Sequence, residues 1–262
     1  MGIFATGLAG RTALITGGSR GIGRATAELM AAEGCNLHLA ARTQKDLEKA
    51  QGELVGAHGI QVHIHAVDLS VSAETVALAD TCRDIDILVN NAGAIPPGGI
   101  DRVDEGMWRE AWDLKVFGYI NLARKIYADM RARGHGVIIN VIGMAGATPK
   151  SFYVCGSAGN AALMAFTTAV GAEAADFGVR VVGVNPGLTL TERLLRIEKS
   201  RAREAFGDES RWQELTTGQP YGRYAKPEEI ANLIVFLASD LGAYINAAVI
   251  PVDGGAHARG GR

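Results

Sequence analysis

An α/β fold, a doubly wound parallel sheet of about seven strands with helices on both faces, is what this sequence predicts, and three observations predict it. Short apolar runs ended by Gly, Asp or Asn alternate along the chain with longer segments of helical period. Nearly all of those runs lack charge, as expected of strands covered on both sides. A glycine-rich turn joins the first run to the first helical segment. Alternation of this kind implies right-handed crossover units stacked into one parallel sheet.

The strand candidates, in order, are TALIT (12–16), NLHLAA (36–41), QVHIHAV (61–67), DILVN (86–90), GVIINV (136–141), VRVVGV (179–184) and AAVIPV (247–252). Helical period fills the intervals near 21–33, 43–56, 72–82, 105–132, 154–176 and 227–238, the last opened by a Pro suited to a first helical turn. No linker, repeat or low-complexity stretch breaks the rhythm, so residues 1–262 form one domain, and the charged segment 188–224 is expected to be an inserted lid over substrate. Ligands in open α/β sheets bind beyond the carboxyl ends of the strands, which is where the informative residues should sit.

The chain has 262 residues, 48% hydrophobic, with a net charge of −2. No basic field favours nucleic acid or an anionic membrane, and a small molecule is the expected partner. The start lacks the pattern of a secretory signal and no run is long enough to span a bilayer, so a cytoplasmic location is expected. Cys35, Cys82 and Cys155 lack metal-ligand spacing and read as reduced packing residues; no metal site is expected. His38, His63 and His65 fall in strand candidates and read as structural.

TGGSRGIG, residues 16–23, directly follows the first strand and opens the first helix, where backbone N–H groups and the helix dipole favour a pyrophosphate. Its Gly-x-x-x-Gly-x-Gly spacing, NNAG at 90–93, Asp68-Leu69, NPGLTLT at 185–191, the segment 222–240 and VDGG at 252–255 together resemble the short-chain dehydrogenase/reductase family over almost the whole chain. The resemblance implies a Rossmann-like fold and a nicotinamide cofactor. Cofactor contacts are then expected from Gly17, Ser19, Arg20, Gly21, Ile22 and Gly23 of the glycine loop. Asp68 and Leu69 are expected beside adenine, with Asn90, Ala92 and Gly93 after the fourth strand and Pro186, Gly187, Thr189 and Thr191 beside the nicotinamide. Arg42, where a carboxylate would bind the ribose of NAD, suits the 2′-phosphate of NADP, and Arg20 could add a second cation. NADP(H) is therefore expected over NAD(H), and the resemblance implies a homodimer or homotetramer.

The family's chemistry uses an Asn, a Ser, a Tyr and a Lys, and all four positions differ here. Aligning the helix at 108–124, NVIGMAG at 140–146 and AAL at 161–163 places Lys115, Gly143, Gly156 and Asn160 in those four positions. Asn and Lys have in effect changed places, so a cation is kept but moved. Lys115 is the leading catalytic candidate, with Asn160 beside it, and Tyr153, three residues before Gly156, could enter the space over that glycine. Ser151, Cys155 and Ser157 have no activating partner nearby. The cations Arg193, Arg196, Lys199, Arg201 and Arg203 read as a solvated helix face. Three functions fit: an NADP(H)-dependent oxidoreductase for a carbonyl or alcohol with an atypical site, a nucleotide-binding pseudoenzyme, or a non-redox enzyme using the Lys115 amine.

Overall fold

The computed structural model describes residues 5–259, so residues 1–4 and 260–262 of the single-domain reading lie outside the described residues. Seven strands, β1 Thr12–Thr16, β2 Asn36–Ala41, β3 Val62–Ala66, β4 Ile87–Asn90, β5 Gly136–Val141, β6 Val179–Pro186 and β7 Val249–Val252, form one parallel sheet. Their order is β3-β2-β1-β4-β5-β6-β7. Side chains alternate across it: Ala13 and Ile15 face one core, Leu14 the other. The first core is closed by α1 (Gly21–Ala32), α2 (Gln44–His58) and α8 (Pro227–Ala238) through Met30, Leu47, Leu54, Ile230 and Ile234. The second is closed by α3 (Ser72–Thr81) and α5 (Gly118–Arg133) through Leu78, Leu122, Ile126 and Met130. Burial on both faces explains why the strands carry so little charge.

The strand order reverses between β1 and β4, which opens a crevice at their carboxyl ends. Thr16 closes its floor. The Thr16 hydroxyl accepts from the N–H groups of Asn91 (2.8 Å) and Ala92 (3.0 Å), while Asn91 Nδ2 donates to the Thr16 carbonyl (2.9 Å).

Two elements depart from the sequence expectation, the helix over 105–132 and the start of the last strand. The helix expected over 105–132 is α4 (Glu105–Trp112) and α5 joined by a π-helical turn, Asp113–Phe117, centred on Lys115; such bulges recur at functional sites. The segment 188–224 contains α7 (Glu192–Phe206), followed by short 3-10 turns. β7 begins only at Val249, because Ala247 takes φ +53° with its N–H donating to the Val181 carbonyl, outside strand geometry. The remaining long helix, α6, runs Val154–Ala174 beside β6.

Candidate functional site

At the nucleotide end the chain turns sharply after β1. A Cβ on Gly23 would lie 2.3 Å from the Gly17 carbonyl oxygen and 2.6 Å from Asn91 Nδ2, so only glycine lets α1 pack this close to the turn. The Arg20 N-cap position supplies no side-chain cap and the first turn of α1 holds no acidic residue, which leaves its N–H groups free to hold an anion. Ser19 is half-buried in this loop and Ile22 faces the cleft.

Arg20 is not an additional free cation. Its guanidinium pairs with Asp46 at 2.8 Å and with Glu192 at 3.7 Å, tying the glycine loop to α2 and to α7. Arg42 is exposed just past β2 and makes no ion pair among the described residues; its charge acts on Asp68. The Asp68 carboxylate accepts from Ser70 N (3.0 Å) and Oγ (2.7 Å), which with Arg42 hold it below the ordinary range. Leu69 is buried beneath α5, its carbonyl taking the Thr75 hydroxyl at 3.2 Å.

Asn90 departs from its expected role. It is 1% exposed and donates to Asn140 Oδ1 at 3.0 Å, while Asn140 donates to Thr167 Oγ1 at 2.9 Å, so its side chain joins β4 to β5 and α6 inside the core. The cleft is lined instead by Asn91, which the sequence reading missed; strand alternation is the signal that separates the two. Thr191 spends its hydroxyl capping α7 at Leu194 N (3.3 Å), and Thr189 donates to the Gly187 carbonyl at 3.0 Å. Pro186 and Gly187 end β6, the Gly187 N–H donating to Val252 at 2.9 Å.

At the opposite end of the cleft Lys115 is half-buried. Its alkyl chain crosses Gly93, where a Cβ would sit 2.8 Å from Lys115 Cδ, and its Nζ donates to the Ile142 carbonyl at 2.7 Å. Burial first, and then the nearby Arg193 charge, bring the ammonium down to about 8. Arg193, exposed on α7, lines the cleft and donates to the Ile95 carbonyl at 3.1 Å. Elsewhere on α7, Arg201 pairs with buried Glu198 at 2.9 Å, and Arg203 pairs with Glu209.

Tyr153 precedes α6 and is set by a parallel bridge to Gly98, Val154 N donating to the Gly98 carbonyl at 3.2 Å. Its ring covers Gly156: a Cβ there would lie 2.0 Å from Tyr153 Cε1. Burial raises the phenol and Arg193 opposes that shift. Asn160 Nδ2 donates to the Gly143 carbonyl at 3.3 Å, and its Oδ1 is buried with no partner among the described residues. Gly143 has φ +131°, a conformation L side chains rarely adopt, and its N–H donates to Asn185 Oδ1 at 3.2 Å. Ser157 Oγ accepts from Lys150 N at 3.0 Å and Cys155 is wholly buried, so both are structural.

Lys115, Gly143, Tyr153, Asn160, Ile22 and Pro186 thus line one cleft of about 2130 Å³, open beneath α7. Ordinary ligand pockets span about 300–1,000 Å³, so this cleft is at least twice that size. An anion-receptive helix start at one end and a half-buried amine brought down to about 8 at the other suit proton-coupled chemistry on a bound ligand.

Residues 11–202 match the short chain dehydrogenase family. The chain is 32% identical over 249 residues to the 3-oxoacyl-acyl-carrier-protein reductase of Vibrio harveyi, covering 95% of this chain and 98% of that protein. It is 32% identical over 250 residues to the galactitol 2-dehydrogenase (L-tagatose-forming) of Cereibacter sphaeroides, covering 95% of each. The L-sorbose reductase of Gluconobacter frateurii, solved with NADPH and L-sorbose, superimposes with a TM-score of 0.91 at 34% identity, over 96% of this chain and 98% of that one. With its sheet order and the crevice at the β1–β4 reversal, the chain belongs to the short-chain dehydrogenase/reductase family.

Proposed function

We propose that this protein is an NADP(H)-dependent oxidoreductase that interconverts a carbonyl and an alcohol through a rearranged acid-base set, with Lys115, Gly143, Gly156 and Asn160 at the family's four catalytic positions. The observation that carries this reading is Lys115: a half-buried amine at the wall of the cleft, brought down to about 8, is matched to proton transfer near neutral pH. When bound, the nicotinamide supplies or accepts the hydride. Lys115 Nζ gives the substrate oxygen its proton in reduction and takes it back in oxidation. The Tyr153 hydroxyl, kept protonated by burial, donates a hydrogen bond to the same oxygen. Asn160 Oδ1, without a partner, accepts from a ligand hydroxyl.

NADP(H) is favoured by Arg42, which carries no competing carboxylate at hydrogen-bond distance, and by the NADPH bound in the sorbose reductase relative. The glycine loop, Asp68, Ala92, Gly93 and the segment from Pro186 to Thr191 hold the rest of the cofactor, with segment 188–224 as the lid of a single domain. A homo-oligomer is supported by the small outward face of α6, where Ala161, Ala165, Thr168 and Ala172 are exposed, and by exposed Phe117. Light scattering that returns a monomer would contradict that assembly.

A second reading has its own observation, since an amine near pKa 8 is also a nucleophile able to form an imine with a carbonyl ligand. Titration with NADPH and NADH followed by a carbonyl and alcohol panel decides. Binding with turnover supports the oxidoreductase; binding without turnover points to a pseudoenzyme; borohydride trapping of a carbonyl ligand on Lys115 supports the imine.

A further inference from the structure

His38 on β2, His63 and His65 on β3 and Cys82 at the end of α3 meet on one face of the sheet, outside the cleft. Parallel register sets His38 beside His63 and Ala40 beside His65, so period-2 alternation turns all three imidazoles to the same side. His38 Nδ1 and His65 Nε2 lie 2.9 Å apart, and Cys82 Sγ lies 3.3 Å from the first and 3.9 Å from the second. The circle through these three atoms has a radius of about 2.0 Å, close to a zinc–nitrogen bond of ~2.0–2.1 Å and slightly under a zinc–sulfur bond of ~2.3 Å. The His63 ring, 4.8 Å from that of His38, stands at the exposed side.

We propose that His38, His65 and Cys82 form a binding site for a zinc-class divalent cation, with water or His63 in the fourth position. Two imidazoles and a thiolate are donors this class prefers over the oxygen ligands taken by magnesium or calcium. Burial keeps His38 and His65 neutral at physiological pH, the ligand form, and no carboxylate competes within the cluster. Burial also raises the Cys82 thiol, so coordination exchanges its S–H bond for an S–metal bond and releases the proton to solvent. The site would staple the edge strand β3 and α3 to β2, immediately before the segments that carry Arg42 and Asp68.

The test uses the untagged full chain, stripped with a chelator and titrated with Co²⁺ alone. One equivalent should give a thiolate-to-cobalt charge-transfer band, displaced by Zn²⁺, and Zn²⁺ should raise the melting temperature. Cys82→Ser should abolish the band and His65→Gln should weaken Co²⁺ binding at least about tenfold, as loss of a ligand predicts. His38→Gln serves as an independent ligand variant should Cys82→Ser misfold, and circular dichroism checks each fold. No band in the wild type, a band retained in Cys82→Ser, or unchanged affinity in both histidine variants would overturn the proposal and leave a His–His–Cys hydrogen-bonded cluster.

Discussion

Replacing Lys115 by Met removes a half-buried ammonium but keeps an unbranched chain to lie over Gly93, and the consequences for stability and for turnover have opposite sign. Burial and Arg193 bring this group from the ordinary 10.5 to about 8, which at 1.36 kcal/mol per pH unit is about 3 kcal/mol against the folded state. The unfolded lysine keeps its proton up to ~10.4 whereas the folded one releases it near 8. Between those values the unfolded chain binds more protons, so this group makes stability rise with pH, and below pH 8 its cost is full. Lys115→Met should therefore be more stable than wild type at neutral pH by up to about 3 kcal/mol, less about 1 kcal/mol for the lost bond to the Ile142 carbonyl. The advantage should shrink in alkaline solution. Turnover should fall by about 10²–10⁴-fold, the usual worth of an acid-base group. Tyr119, Cys35 and Cys82 are raised in the folded state but ionise near this range when unfolded, so the readout is the wild-type minus variant difference in urea unfolding at neutral and alkaline pH. A variant less stable at neutral pH, with unchanged turnover in the NADPH assay, would refute the assignment.

Arg42→Glu should weaken NADPH binding by roughly 10–100-fold, the worth of a charge-assisted hydrogen bond, with a smaller change for NADH, as read by fluorescence titration at fixed salt. Gly156→Ala puts a methyl 2.0 Å from Tyr153 Cε1 and must expel the ring; a loss of about 1–3 kcal/mol from overpacking and a fall in turnover are expected. Tyr153→Phe, which keeps the ring, should lose turnover without that loss of stability, and equal turnover to wild type would remove Tyr153 from the mechanism. Ala247→Gly relieves φ +53° and should gain about 1 kcal/mol in urea unfolding, left-handed backbone being costly for any residue with a Cβ.

All seven strands were legible because each is an apolar run between turn residues, uncharged in all but β6 with its Arg180, and their alternation with helices implied a doubly wound parallel sheet. The break at Asp113–Phe117 was not, since a π turn changes hydrogen-bond partners without changing composition or the apolar period. Of two adjacent asparagines, only the pleat decides that Asn90 enters the core and Asn91 the cleft. Arg20 read as a free cation because its partners, Asp46 and Glu192, are far away in the chain. The histidine and cysteine cluster escaped for the same reason: His38, His65 and Cys82 share no short spacing, and only strand pairing and the packing of α3 bring them together.

The four unusual site residues gain coherence when each glycine is taken with the atom that fills its space. The Lys115 chain fills the space above Gly93, the Tyr153 ring that above Gly156, and Asn160 Nδ2 lies 3.0 Å from where a Gly143 Cβ would be. Random decay of an active site would leave cavities, because deleting a buried tyrosine or lysine side chain removes contacts that nothing replaces. Here the Tyr153 ring occupies the space over Gly156, and the Lys115 amine lines the same cleft. On the proposed assignment of Gly143 and Gly156 to the family's Ser and Tyr positions, restoring one residue at a time should fail for steric reasons: Gly156→Tyr meets the Tyr153 ring, and Gly143→Ser meets both φ +131° and the Asn160 amide. Asn160→Lys alone would add a third cation to a wall that already holds Lys115 and Arg193, and the repulsion should lower the Lys115 pKa further. An acid limb of the pH–rate profile that moves to lower pH in Asn160→Lys is the expected result, and an unmoved limb would separate Lys115 from the reacting proton.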